Sequence, residues 1–220
     1  MARARVFHLL LGTGLVLCFS AARFANSDDR GKESPPLEKG FVRLFDGRSL
    51  DGWDGDKKLW KAEDGMIVGD SAGIRQNEFL ATKKSYADFE LRLEFRLRKG
   101  EGNSGVQFRS RRVAGKSEVS GYQADIGQAY WGCLYDESRR DKILVQAPPE
   151  LEKALHKEGW NEYLIRAQGA AITLTLNGVK TVDYREMDDS IPREGIIALQ
   201  VHAGGPLRVE FRNLRIQELE

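Results

Sequence analysis

The stretch FELRLEFRLR, residues 89–98, decides the fold. Phe89, Leu91, Leu93, Phe95 and Leu97 alternate without a break with Glu90, Arg92, Glu94, Arg96 and Arg98. A strict period of two sends one set of side chains to a core and the other to water, so this is a half-buried β-strand. The long charged side chains of the wet face read as a solvated sheet surface with no function of their own.

Outward from this strand the same signal recurs. Residues 106–110 set Val106 and Phe108 against Gln107 and Arg109, and residues 122–126 set Tyr122, Ala124 and Ile126 against Gln123 and Asp125. Residues 161–167 place Tyr163, Ile165 and Ala167 on one face. Residues 172–176 run into Asn177-Gly178, the strongest short hairpin signal, so 179–184 is the return strand. Asp64-Gly65 marks a second hairpin, and residues 195–202 and 207–216 read as a last pair joined through Ala203-Gly204-Gly205-Pro206. Residues 150–158, after Pro148-Pro149, are the best candidate helix, and it is short. Strands this closely spaced, without the long helices that parallel crossovers need, give an all-β sandwich of two antiparallel sheets with at most one short helix.

The chain has 220 residues, 34 Lys and Arg against 33 Asp and Glu, and 41% hydrophobic residues. That balance excludes an acidic or basic disordered chain and offers no polycation for nucleic acid. Residues 1–22 read as a signal peptide: Arg3 and Arg5, then an apolar run, then Ser20-Ala21-Ala22 in small-x-small form. Removing them lowers the formal charge from +1 to −1 and takes Cys18, which leaves Cys133 alone and best read as buried and inert. Residues 23–39, with Pro35-Pro36, form a linker, and 40–220 form the domain. The protein is therefore expected outside the cytoplasm, periplasmic or extracellular, with no membrane span after cleavage and an oligomeric state that the sequence leaves open.

Three segments break the Lys/Glu-type alternation with selective polar residues. EGNSGVQFR, residues 101–109, shows Asn103 in a glycine-rich turn and then Gln107 and Arg109. GYQADIG, residues 121–127, shows Gln123 and Asp125, and residues 198–202 show Gln200 and His202. On one sheet these side chains would converge on one surface. Such a surface both donates and accepts many hydrogen bonds and suits a polyhydroxylated, carbohydrate-like ligand. Trp131, Tyr135, Asp136 and Glu137 add a nearby stretch of aromatic and acidic residues for sugar stacking and polar contact, whereas Trp53, Trp60 and Trp160 read as core. Asp125, Glu137 and His202 would make a mixed O/N set for Ca, Mn or Zn, unsupported by any spaced His/Cys motif. The chain has no phosphate-binding loop, dinucleotide fingerprint, Gly-x-Ser-x-Gly elbow or HExxH. It also lacks the E-x-D-x-x-E arrangement that supplies paired carboxylates for glycoside hydrolysis in laminarinase-like enzymes.

A series of motifs resembles the 3-keto-disaccharide hydrolase domain family. It opens with GFVRLFDGRSLDGW (40–53), and continues through WKAEDGMIV (60–68), YADFEL (86–91), NSGVQFR (103–109), GYQAD (121–125) and WNEY (160–163). It ends with IALQVH (197–202) and VEFRNL (209–214), in order over residues 40–220. The resemblance implies a concanavalin A-like jelly roll and an exported enzyme acting on glycosides oxidised to a ketone at carbon 3. Such a ketone acidifies the hydrogen on carbon 2, so one base and one enolate stabiliser can replace the carboxylate pair. Combined with the facing of the strands, it offers Asp125 or His202 as base, Arg109, Gln123 or a divalent metal at the enolate, and Tyr135 as proton donor to the leaving oxygen. Asn103, Gln107, Trp131 and Gln200 are the candidate sugar contacts. The rival expectation is a non-catalytic carbohydrate-binding domain on the same fold.

Overall fold

The computed structural model describes residues 36–220. The expected signal peptide lies outside these residues, as does most of the expected linker. The last linker residues dock: Glu38 accepts from Arg215 Nε at 2.9 Å and pairs with Arg92 at 3.3 Å. The Arg215 hydrogen bond, ahead of the other contacts, holds the Glu38 carboxyl at about 2.

The strands, in chain order, are β1 (Val42–Arg43), β2 (Trp53–Asp54), β3 (Trp60–Glu63), β4 (Met66–Ser71), β5 (Glu78–Tyr86), β6 (Phe89–Leu97), β7 (Asn103–Arg112) and β8 (Val119–Gly127). There follow β9 (Leu134–Glu137), β10 (Lys142–Val145), β11 (Asn161–Gln168), β12 (Ala171–Leu176), β13 (Val179–Arg185), β14 (Gly195–Val201) and β15 (Leu207–Glu218). They form two antiparallel sheets packed face to face. The first runs β13-β12-β11-β6-β15-β4-β3, with β1 on β15, and the second runs β10-β9-β8-β7-β14-β5-β2. This is the all-β sandwich that the alternation predicts. Among the described residues no helix is long and apolar enough to cross a membrane.

Strand β6 sits mid-sheet and behaves as its pattern dictates. Phe89, Leu91, Leu93, Phe95 and Leu97 have no exposed surface. Phe95 packs on Trp131 and Tyr163, with ring centroids 6.2 and 5.4 Å away. On the outer face Arg96 pairs with Glu210 at 2.6 Å and Arg212 with Glu94 at 2.7 Å. Glu210 is buried and the other three side chains keep about a quarter of their surface in water, where an ion pair adds little to stability. Trp160 lies on this outer face, between Arg96 and Arg212 at 4.6 and 4.0 Å, and not in the core as expected. The period explains it: β11 turns Asn161, Tyr163 and Ile165 inward, so the residue before Asn161 points out.

Two further expectations change. Residues 150–158 form only a five-residue 3-10 turn, Pro149–Lys153, whose single buried residue is Leu151. One anchoring side chain does not offset the cost of nucleating an α-helix. Strands β14 and β15 are not a hairpin pair. β14 lies between β7 and β5 in the second sheet, and β15 between β6 and β4 in the first. The glycine-rich link carries the chain across the sandwich, fastened by a bridge between Ile74 and Gly204. The predicted Asn177-Gly178 hairpin joins β12 to β13, with Leu176 opposite Val179 and φ values of 50° and 79° at the two turn residues. Gly178→Ala is expected to lower stability by about 1 kcal/mol, read by chemical denaturation, because a side chain there is forced into a left-handed conformation.

Candidate active site

The second sheet positions the site. β7 and β8 are buried on both faces over most of their length, unlike β6. Their core face carries Val106, Phe108, Tyr122, Ala124 and Ile126. Their other face is polar and forms the floor of the candidate site. Register aligns it: Gln107 lies opposite Gln123, Gln123 opposite Tyr135, Tyr135 opposite Ile143, and Gln107 also opposite Ala198. In the next row Asp125 lies opposite Gly105.

A hydrogen-bonded chain runs along this face. Ser110 Oγ donates to Gln107 Oε1 at 2.8 Å, and Gln107 Nε2 donates to Gln123 Oε1 at 3.0 Å. Gln123 Nε2 in turn donates to Asp125 Oδ2 at 3.3 Å, while Asn103 Nδ2 donates to Oδ1 at 3.1 Å. Every donor points toward the carboxylate. Gly105 is required for this arrangement, because a Cβ there would stand 2.4 Å from Gln123 Cδ. Burial pushes the Asp125 carboxyl up to about 7, and the charge of Glu137 adds to this, against the lowering by Asn103 and Gln123. Glu137 also rises to about 7, through burial first and then the charges of Glu118 and Asp141. Burial raises the Tyr135 hydroxyl, so it stays protonated at neutral pH.

Gln200 has no exposed surface, and neither its Nε2 nor its Oε1 has a partner. A buried amide left with both ends unsatisfied is costly. His202 follows at the end of β14, half-buried, with Nδ1 2.6 Å from the Ala203 carbonyl oxygen. Asn77 belongs to the site and escaped the sequence reading. Its Nδ2 donates to Glu137 Oε1 at 3.4 Å, and its Oδ1 accepts from the Ala203 N–H at 2.9 Å. It ties the His202 loop to Glu137 from a turn far away in sequence, where a lone Asn gives no periodic signal.

Three expected site residues stand elsewhere. Arg109 is buried and structural: it donates to the carbonyls of Ala87 (2.8 Å) and Gly169 (2.7 Å) and to Asp88 Oδ1 (2.7 Å). A bulge between Phe108 and Arg111, with Arg109 at φ 46°, takes it out of the alternation that would have aimed it at Gln107's face. Trp131 packs in the core against Phe95 and offers no stacking surface. Asp136 also turns inward, away from its neighbours Tyr135 and Glu137. Among the described residues no three His, Cys, Asp or Glu side chains gather as a metal-binding set, so Asp125, Glu137 and His202 do not form the expected O/N constellation. Cys133 is free and buried, and burial raises its thiol, in keeping with an inert role.

The profile of the 3-keto-alpha-glucoside-1,2-lyase-like domain matches residues 40–217. The chain belongs to this family. As a 3-keto-alpha-glucoside-1,2-lyase-like domain it is 33% identical over 89 residues to a 3-keto-disaccharide hydrolase of Bacteroides thetaiotaomicron. That match covers 36% of this chain and 30% of the relative's length, so the chain spans less than a third of that protein. Among solved structures, a candidate glycosyl hydrolase from Parabacteroides distasonis superposes with a TM-score of 0.65 at 19% identity, covering 86% of this chain and 100% of its own. The carbohydrate-binding module CBM66 from Bacillus subtilis gives 0.61 at 17% identity, covering 76% and 96%. At such identities the two structures establish the shared jelly-roll fold alone.

Proposed function

We propose that this 3-keto-alpha-glucoside-1,2-lyase-like domain is an exported enzyme that cleaves 3-keto-glycosides, 3-keto-disaccharides among them, by elimination followed by hydration. The single observation that carries the reading is Asp125: a carboxylate 3% exposed, held by two amides, with its pKa pushed to about 7. A base of that strength, already oriented, suits abstraction of the acidified hydrogen on carbon 2. As that proton passes to Asp125, the electron pair forms the enolate across carbons 2 and 3. The pair then returns to open the bond from carbon 1 to the aglycone oxygen, which leaves with the proton of Tyr135. Water adds back at carbon 1, giving its proton to the Tyr135 oxygen, and carbon 2 regains its proton from Asp125, so both groups return to their starting states. The sum is hydrolysis with one base and one acid. His202 and Asn103 border the same face and contact sugar hydroxyls.

The test is release of a chromogenic aglycone from a 3-keto-glucoside, with the unoxidised glucoside as control. Release from the keto sugar alone, rising with pH through about 7 as Asp125 ionises, is the expected result. The same assay with chelator reads whether a divalent metal takes part. Sugar binding without cleavage of either glucoside would instead make the domain a carbohydrate-binding one.

A further inference from the structure

A second recess lies at the other end of the same sheet. It holds about 640 Å³ and is lined by residues of β2, β5 and β7 and by Glu194, Gly195 and Ile196 at the start of β14. Its lining includes the small or apolar Ala81, Gly195 and Ile196. Gly195 keeps β14 close against the β7 bulge, since a Cβ there would stand 2.4 Å from the Ser110 carbonyl oxygen. The recess and the Asp125 row are joined through Ser110, which lines the recess and begins the amide chain ending on Asp125. Along β14, Gln200 and Ile196 are four residues apart, about 13 Å at the usual strand rise.

The charges in this recess are only partly matched. Arg112 is occupied, donating to the Asp54 carbonyl at 2.7 Å and pairing with its carboxylate at 3.3 Å. Lys83 and Arg111 both line the recess, are exposed, and have no side-chain partner among the described residues. The acidic side chain left there without a partner is Glu194. Two free cations and one free carboxylate suit a sugar that itself carries an acid. The guanidinium of Arg111 takes a planar carboxylate two-pronged, Lys83 adds a second charge, and Glu194 accepts from sugar hydroxyls.

We propose that this recess is a subsite for a uronic acid unit, so that the sheet accepts glycosides carrying an anionic sugar about 13 Å along the chain from the unit that is cleaved. The proposal rests on the reading of the Asp125 face as a glycoside site. Its test is binding rather than turnover, so the two can fail separately. Cellobiose and its uronic acid counterpart, which differ by one carboxylate, are titrated into the whole chain by calorimetry at low salt. The acid is expected to bind about fivefold more tightly, the sum of two partly exposed ion pairs, and the difference is expected to shrink at high salt. In the double variant Lys83→Ala/Arg111→Ala the ratio of the two affinities is expected to fall to one, with a melting temperature matching wild type because neither side chain holds the fold. Equal affinities in the wild type, no binding of either sugar, or a preference that survives the double substitution would each overturn the subsite. Ketone-dependent release of a chromogenic aglycone remains the separate measure of the chemistry.

Discussion

Asp125→Asn is expected to lose 3-keto-glycoside cleavage by about a hundred- to ten-thousandfold while melting higher than the wild type at pH 8. The loss follows from removing the only carboxylate held by the amide chain: an amide cannot take the proton from carbon 2. The gain follows from linkage. Burial raises the folded pKa of Asp125 from 3.8 to about 7. Between these values the native state binds a proton that the unfolded state has released, so stability falls as pH rises through this window. Above about 7 the charged carboxylate sits buried at its full penalty, about 4 kcal/mol as an upper bound from the shift. Asn carries no such penalty. It does set an NH2 group against Gln123 Nε2 or Asn103 Nδ2, both donors, which returns about 1–2 kcal/mol. A net gain of about 2 kcal/mol corresponds to about 5 °C in a domain of this size. The gain should all but vanish near pH 4, where the folded carboxyl is protonated and the unfolded one is about half so. Thermal melts at pH 4 and pH 8, set beside the chromogenic assay, check both halves. A variant that melts lower at pH 8 overturns the burial penalty, and one that still cleaves the keto sugar at wild-type rate removes Asp125 from the chemistry.

The alternation of residues 89–98 made the sandwich legible because one face of that strand meets water. The polar face of the second sheet was legible for the same reason: Gln107, Gln123, Asp125 and Gln200 hold the parity that the pattern assigns them. What parity could not reveal was where the period breaks. Arg109 sits in a bulge, and a single inserted residue reverses the facing of everything after it. Asn77 reaches Glu137 through tertiary contact alone. The crossing from β14 to β15 was hidden because a short glycine-rich link serves a hairpin and a crossover equally well in sequence. Trp131 illustrates a different limit. An aromatic next to a polar stretch stacks on a ligand or on the core according to which way its backbone turns, and here it turns to Phe95.

The two acids side by side in β9 are expected to part company under substitution. Adjacent strand residues face opposite ways. Glu137 shares the half-buried outer face with Tyr135, whereas Asp136 has no exposed surface and faces the inside of the sandwich. There Arg139 pairs with its Oδ1 at 2.7 Å and Arg140 pairs with its Oδ2. Arg140 also reaches Glu186 Oε2 at 2.7 Å, which in turn accepts from the Tyr122 hydroxyl at 2.6 Å. Burial alone would raise Glu186, yet Arg140 and Tyr122 outweigh it and hold the carboxyl at about 2. Arg139 completes the cluster by lying over the Tyr122 ring, 4.4 Å from its centroid. Asp136→Ala leaves two guanidinium groups facing one remaining carboxylate. Removing one partner from a fully buried pair costs about 3–5 kcal/mol, and because both arginines keep some contact with water the expected loss is at the lower end, about 3 kcal/mol. That is a fall of about 6–12 °C in melting temperature. Glu137→Gln keeps its bond to Asn77 and should melt within a few degrees of wild type, with its effect appearing in turnover instead. Denaturation of the two variants side by side decides the assignment: an Asp136→Ala protein as stable as wild type would mean that the inward cluster does not hold the end of the sandwich together.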